Sequence, residues 1–176
     1  MALASRQPDA RYGRNLLAEF GPRYRSYIAI TSPRAWKVVE HRLPYRPAHR
    51  EFHQGMGERY LEALTPRLPN AEYILVVGGG NALDVGKYVA WKLNRPLMMI
   101  PTIISTGSVF QSPIAIRCAK IGDFQRETVA PEVLLFDADV IRQAPPRLNY
   151  ASMGECVCQL AAIGAWNRSD RRRTAR

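Results

Sequence analysis

The residues best suited to chemistry are Val76-Val77-Gly78-Gly79-Gly80-Asn81-Ala82-Leu83-Asp84-Val85-Gly86-Lys87. An apolar run enters three glycines and leaves as a helical pattern. Glycine has no Cβ, so the backbone turns sharply and a ligand can come close. The following helix aims its free N–H groups and the positive end of its dipole at that turn. A pyrophosphate fits such a place. The spacing is neither G-x-G-x-x-G nor G-x-x-x-x-G-K-[ST], so neither standard phosphate fingerprint applies. The competing reading is a tight strand–helix turn that holds no ligand. Asp84 and Lys87 stand three apart on one face of the helix. Asp84 could bind a hydroxyl or amide of a cofactor, and Lys87 a phosphate or Asp84 itself. Otherwise they form a surface ion pair worth a few tenths of a kcal/mol.

A second loop, Pro101-Thr102-Ile103-Ile104-Ser105-Thr106-Gly107-Ser108, follows the next apolar run. Its hydroxyls can serve phosphate and amide groups. In a parallel sheet it would lie beside the glycine turn, at the carboxyl ends of the strands, where open α/β sheets bind ligands.

The elements that must position these loops can be read from periodicity. Glu72–Val77 and Pro96–Ile100 are near-continuous apolar runs, as strands buried on both faces should be. Ser26–Thr31 is β-rich, and Ser32-Pro33 starts a helix at Ala35–Glu40. Gly57–Leu68 is amphipathic, and Asn81–Leu93 carries Leu83, Val85, Val89, Ala90 and Leu93. Ile114–Ile116 and Val133–Phe136 are further strand candidates, and Ser152–Trp166 reads as a helix. Residues 1–25 form a polar lead-in, and residues 42–53, with Pro44 and Pro47, a loop or extended segment. Strands alternating with helices give an α/β fold with a parallel sheet forming a nucleotide-binding domain.

The chain has 176 residues and a net charge of +10. Arg168–Arg176 holds five Arg and one Asp, leaving +6 for the other 167 residues. The basic residues do not alternate with aromatics in a nucleic-acid-binding stripe, so no nucleic-acid partner is expected. No apolar run reaches the roughly 18 residues of a membrane helix, and the N-terminus has no apolar signal core. A cytoplasmic protein with no membrane partner is the expectation. Cys118, Cys156 and Cys158 are too few and too odd in number for a disulfide framework, and all three are expected to be small buried hydrophobes.

Gly78-Gly79-Gly80-x-x-x-Asp84-x-x-Lys87 followed by Pro101-Thr102-x-x-Ser105-Thr106-Gly107-Ser108 resembles the iron-containing alcohol dehydrogenase superfamily, which includes glycerol and glycerol-1-phosphate dehydrogenases and 3-dehydroquinate synthases. The resemblance covers roughly residues 12–166. It implies a nucleotide-binding α/β domain joined to an all-helical domain, with a divalent metal, Fe or Zn, in the cleft between them. It implies further that the triple glycine cradles the pyrophosphate of NAD or NADP, that Thr102, Ser105 and Ser108 line the cofactor, and that Asp84 lies toward the nicotinamide. Residues 1–147 would be the nucleotide-binding domain, 148–166 the start of a truncated metal domain, and 167–176 a disordered basic tail. Glu155 stands where the first metal ligand is expected. The implied activity is hydride transfer between the nicotinamide and an alcohol or polyol phosphate.

Three departures qualify it. His41, His49 and His53 all lie upstream, so two further ligands are missing, and a catalytic metal needs about three protein ligands. No catalytic residue can therefore be named, and the chain is expected to be truncated and inactive as it stands. Glu155 replaces the usual dehydrogenase Asp, leaning toward the synthase branch, whereas the Ser105-Thr106-Gly107-Ser108 loop leans back toward the alcohol dehydrogenases. Gly107 replaces an Asp common in polyol enzymes. A lyase that recycles bound NAD and a non-catalytic nucleotide-binding fragment are the alternatives. In the latter, an exposed interdomain face would favour a homo-oligomer. After the first strand, Thr31-Ser32-Pro33-Arg34 offers no carboxylate to repel a 2′-phosphate, and Arg34 could attract one; the competing reading is that Arg34 simply faces water. NADP(H) is thus expected to be accepted at least as well as NAD(H), with Ser32 and Arg34 in the cofactor site.

Overall fold

Apolar runs too hydrophobic for a half-exposed strand become the inner strands of a sheet covered on both faces. The computed structural model of the protein describes residues 8–19, 24–104, 109–110, 112–117 and 125–174. Six strands, β1 (Asp9–Gly13), β2 (Tyr27–Thr31), β3 (His49–Phe52), β4 (Tyr73–Gly78), β5 (Leu97–Pro101) and β8 (Val133–Asp137), form one sheet in the order β1-β8-β5-β4-β2-β3. Every neighbouring pair is parallel. Two short strands, β6 (Pro113–Ile114) and β7 (Gln125–Thr128), pair antiparallel apart from it. The helices are α1 (Pro33–Val39), α2 (Glu58–Leu64), α3 (Gly80–Leu93), α4 (Ala138–Ile141) and α5 (Pro146–Thr174).

The period-two alternation of strand side chains sorts the core into two layers. Ile28, Ile30, Ile74, Val76, Met99 and Leu134 pack with residues of α2 and α3 on one face. Tyr27, Ala29, Leu75, Val77, Met98 and Leu135 pack with α1 and Leu17 on the other. The α/β parallel sheet expected from the sequence is present.

Three strands fall where none was named, β7 among them. β1 lies within the polar lead-in and β3 within the proline-bearing segment. Both are edge strands with mostly exposed or half-exposed residues, Asp-Ala-Arg-Tyr-Gly and His-Arg-Glu-Phe. Edge strands need little apolar surface and are often charged, so they leave no hydrophobic signature. The helix expected from Ser152 begins earlier, at Pro146, and continues through residues 167–174, where the sequence suggested a disordered tail. Cys158 is exposed on this helix, correcting the expectation of burial. The apolar residues around it are exposed too, with Met153, Val157, Leu160 and Trp166 at 65–75%. Cys118 lies outside the described residues. No helix among the described residues is long and apolar enough to cross a membrane.

Asp137, fully buried at the end of β8, ties the edge to the body. One carboxylate oxygen caps α4 by accepting from Asp139 N at 2.8 Å, and the other accepts from Leu16 N at 2.8 Å. Asp137→Ala should therefore lose a cap and leave a buried N–H without an acceptor, a cost of about 2–4 kcal/mol. Urea unfolding will show it as a lowered midpoint, and a loss under about 0.5 kcal/mol, the range of an ordinary surface change, would remove this role.

Candidate functional site

The winding of the sheet decides where a ligand can sit. β2 leads through α1 outward to β3, whereas β4 leads through α3 the other way to β5. α1 and α3 lie on opposite faces, so their connections diverge and leave a crevice between the carboxyl ends of β2 and β4. Thr31 and Gly78 end those two strands. The Thr31 hydroxyl donates to the Val77 carbonyl at 2.8 Å, holding the two ends together.

At this crevice the glycine turn becomes the start of α3. Gly79 is its N-cap and supplies no side-chain hydrogen bond, and the first intrahelical bond runs from Leu83 N to Gly79 O at 3.0 Å. The N–H groups of Gly80, Asn81 and Ala82 therefore have no acceptor within the helix. Gly78 has φ +157°, and a Cβ there would lie 2.7 Å from Ala82 Cβ. The turn can be this tight only without side chains.

A cleft of about 230 Å³ opens over the turn. Ser32, Arg34, Gly79, Thr102 and Ile103 line one side, and Val140, Gln143, Ala144, Pro145 and Leu148, from α4 through the first turn of α5, line the other. Ser32, Arg34, Gly79 and Thr102, singled out from three separate stretches of sequence, thus meet in one place. Ser32 Oγ also accepts from Ala35 N at 3.3 Å as the cap of α1. Thr102 N donates to Gly78 O at 3.1 Å, carrying the alignment of β5 with β4 one residue beyond the strand. Ser105 and Ser108 lie outside the described residues. A larger cleft of about 670 Å³ lies elsewhere, lined by Trp36, Glu40, Arg46 and Arg50 near the amino end of β3. It has no glycine turn and no helix start, and Arg50 faces Glu40 across 3.9 Å, so the smaller cleft is the better phosphate site.

Asp84 and Lys87 are not among the residues lining the cleft. They are 6% and 0% exposed, and Lys87 Nζ donates to Asp84 Oδ1 at 3.2 Å and to the Pro113 carbonyl at 3.4 Å. The pair is buried rather than on the surface, and it fastens the start of β6 to α3. Burial holds the Asp84 carboxyl above its ordinary range, with Lys87 opposing the shift. Burial likewise lowers the Lys87 ammonium, with Asp84 opposing.

Glu155 is half-buried on α5 and accepts from Gln159 Nε2 at 3.3 Å. No group of three His, Cys, Asp or Glu among the described residues could hold a metal ion.

Two features of the site escaped the sequence reading. Gly86 faces β4 so closely that a Cβ would lie 1.9 Å from Val76 Cγ2. Its signal was visible as a glycine inside a helical pattern. The wall from Val140 to Leu148 carried no signal, because it lies over 60 residues beyond the glycine turn and its residues are chemically ordinary.

A model of the iron-containing alcohol dehydrogenase family matches residues 39–145, more than half of the chain. The chain is 30% identical over 166 residues to a glycerol-1-phosphate dehydrogenase (NAD(P)+) of Hyperthermus butylicus, covering 87% of this chain and 46% of that protein. It is 36% identical over 100 residues to the enzyme of the same name from Methanococcus aeolicus, covering 57% of this chain and 28% of the relative. The crystal structure of glycerol dehydrogenase from Schizosaccharomyces pombe superposes with a TM-score of 0.72 at 21% identity, covering 89% of this chain and 44% of that one. The chain thus spans about half or less of the length of the relatives it matches.

Proposed function

The chain belongs to the iron-containing alcohol dehydrogenase family, and from that premise we propose that it binds NADP(H) or NAD(H) in the cleft over Gly79 as the nucleotide half of a dehydrogenase for an alcohol or polyol phosphate. The observation that carries this reading is the uncapped start of α3 at the crevice between β2 and β4. The free N–H groups there take the pyrophosphate, and the aligned dipole of a 14-residue helix adds to the attraction. Thr102 orients the cofactor from the neighbouring strand end, and Ser105 and Ser108 extend its polar lining. Arg34, exposed on the cleft wall, meets a phosphate on the adenosine ribose. The bound nicotinamide supplies the hydride acceptor or donor.

The substrate class rests on the dehydrogenase names of the relatives. Glu155 is the one residue proposed toward a divalent metal, Fe or Zn, and no step is derived through that metal. Nucleotide binding without turnover is the second reading, in keeping with the lack of a three-ligand group among the described residues.

Fluorescence titration with NADPH and NADH tests the proposal. NADPH should bind saturably and at least as tightly as NADH. Arg34→Ala should weaken NADPH about fivefold to tenfold, the worth of one partly exposed charge-assisted contact, and leave NADH unchanged. A preference for NADH beyond about tenfold would reject the role of Arg34. No saturable binding by the folded chain would reject the nucleotide site itself.

A further inference from the structure

Asn149 in the first turn of α5 touches two other elements through the two ends of its amide. Its Oδ1 accepts from Ile104 N at 3.4 Å, and its Nδ2 donates to the Ile141 carbonyl at 3.2 Å. Ile104 follows Thr102 and Ile103, which line the cleft, and Ile141 ends α4 directly after the lining residue Val140. The first residue of the segment Thr102–Ile104 is already fixed, since Thr102 N donates to Gly78 O at 3.1 Å. Asn149 supplies the second anchor. The segment is thus pinned to the glycine turn at one end and to the α4–α5 junction at the other.

We propose that Asn149 is a positioning residue for the dinucleotide. It sets the width of the cleft between Ile103 and Leu148. This rests on reading the cleft as the dinucleotide site. A carboxylate carries no donor and an ammonium no acceptor, whereas a primary amide answers an N–H with its oxygen and a C=O with its nitrogen from one position. The geometry also couples the cleft to α5. Any movement of the first turn of α5 pulls on the Ile104 amide, and a ligand that spreads the cleft pulls on the helix.

The test reads Ile104 itself. In Asn149→Ala, amide hydrogen exchange at Ile104 should accelerate at least about tenfold, as a protecting hydrogen bond of ordinary strength is lost. In Asn149→Asp, which keeps an acceptor for Ile104 N, that protection should be retained. NADPH binding to Asn149→Ala should weaken about fivefold to tenfold while the urea midpoint stays near that of the wild type. If Asn149→Ala does not fold, Asn149→Leu, with nearly the same shape and no hydrogen bonds, carries the same expectations. Unchanged exchange at Ile104 would overturn the anchor. Faster exchange with unchanged NADPH affinity would overturn its role in the cleft. Absence of NADPH binding by the wild-type chain would reject the nucleotide reading instead, and the Ile104 exchange rates would still judge the anchor.

Discussion

Gly86→Ala should destabilise the protein by about 3 kcal/mol, even though alanine favours a helix by about 1 kcal/mol over glycine. The added Cβ would lie 1.9 Å from Val76 Cγ2 and 3.2 Å from Val76 Cβ, and Val76 is a fully buried residue of the central strand. Neither side has room to yield, because Val76 belongs to the packed layer that includes Val85 and Val89 of the same helix. α3 must therefore lift away from β4. Its first residues are the proposed phosphate cradle, so NADPH binding should weaken together with stability. A double-mutant cycle isolates the cause. In a Val76→Ala background, which removes the clashing methyl groups, Gly86→Ala should cost much less than in the wild type. Equal costs in the two backgrounds would place the effect elsewhere, and a neutral Gly86→Ala would show that the close approach of α3 to β4 is not required.

The second large effect is expected at Lys87. Its ammonium is wholly buried and pairs with Asp84, itself 6% exposed. Lys87→Ala leaves a buried carboxylate without its cation, which typically costs about 3–5 kcal/mol. Removing both charges in Asp84→Asn/Lys87→Met should cost far less than Lys87→Ala, because an unpaired buried charge is worse than none.

The pH dependence gives a further check. Burial raises the Asp84 carboxyl above the model-peptide value of 3.8 even with Lys87 present, and more so without it. A carboxyl whose folded-state pKa is raised gives stability that is present below the unfolded value and lost as pH rises through the folded one. The deficit of Lys87→Ala relative to wild type should therefore shrink on acidification from pH 7 toward pH 4. A deficit that stays constant over that range would mean that Asp84 finds other partners when Lys87 is gone. Because the pair fastens β6 to α3, local exchange around Pro113–Ala115 should rise first in the Lys87 variant.

Much of the fold was legible because burial leaves a mark on composition. β2, β4, β5 and β8 sit inside the sheet and are buried along their whole length, so their sequences are continuous apolar runs. α3 was legible from its periodicity and from the three glycines that start it. β1 and β3 were not, since an edge strand exchanges hydrogen bonds on one side only and tolerates Asp, Arg, His and Glu. The same rule explains Cys158. Its helix has the composition of a packed element, yet nothing among the described residues covers it there.

By itself the sequence determined the strand–glycine–helix turn and, through the motif that the turn opens, the family. These are local properties, set by the lack of a Cβ and by the orphan N–H groups of a helix start within a few residues of one another. The tertiary structure alone decided which of the polar residues share the cleft. Ser32, Arg34, Gly79 and Thr102 meet because parallel strands bring their carboxyl ends into register. Asp84 and Lys87, in the same motif, turn instead into the core, because helical spacing places them together on a face that packs against β6. The far wall at Val140–Leu148 and the Asn149 anchor arise from contacts far apart in sequence, and no periodicity encodes such contacts.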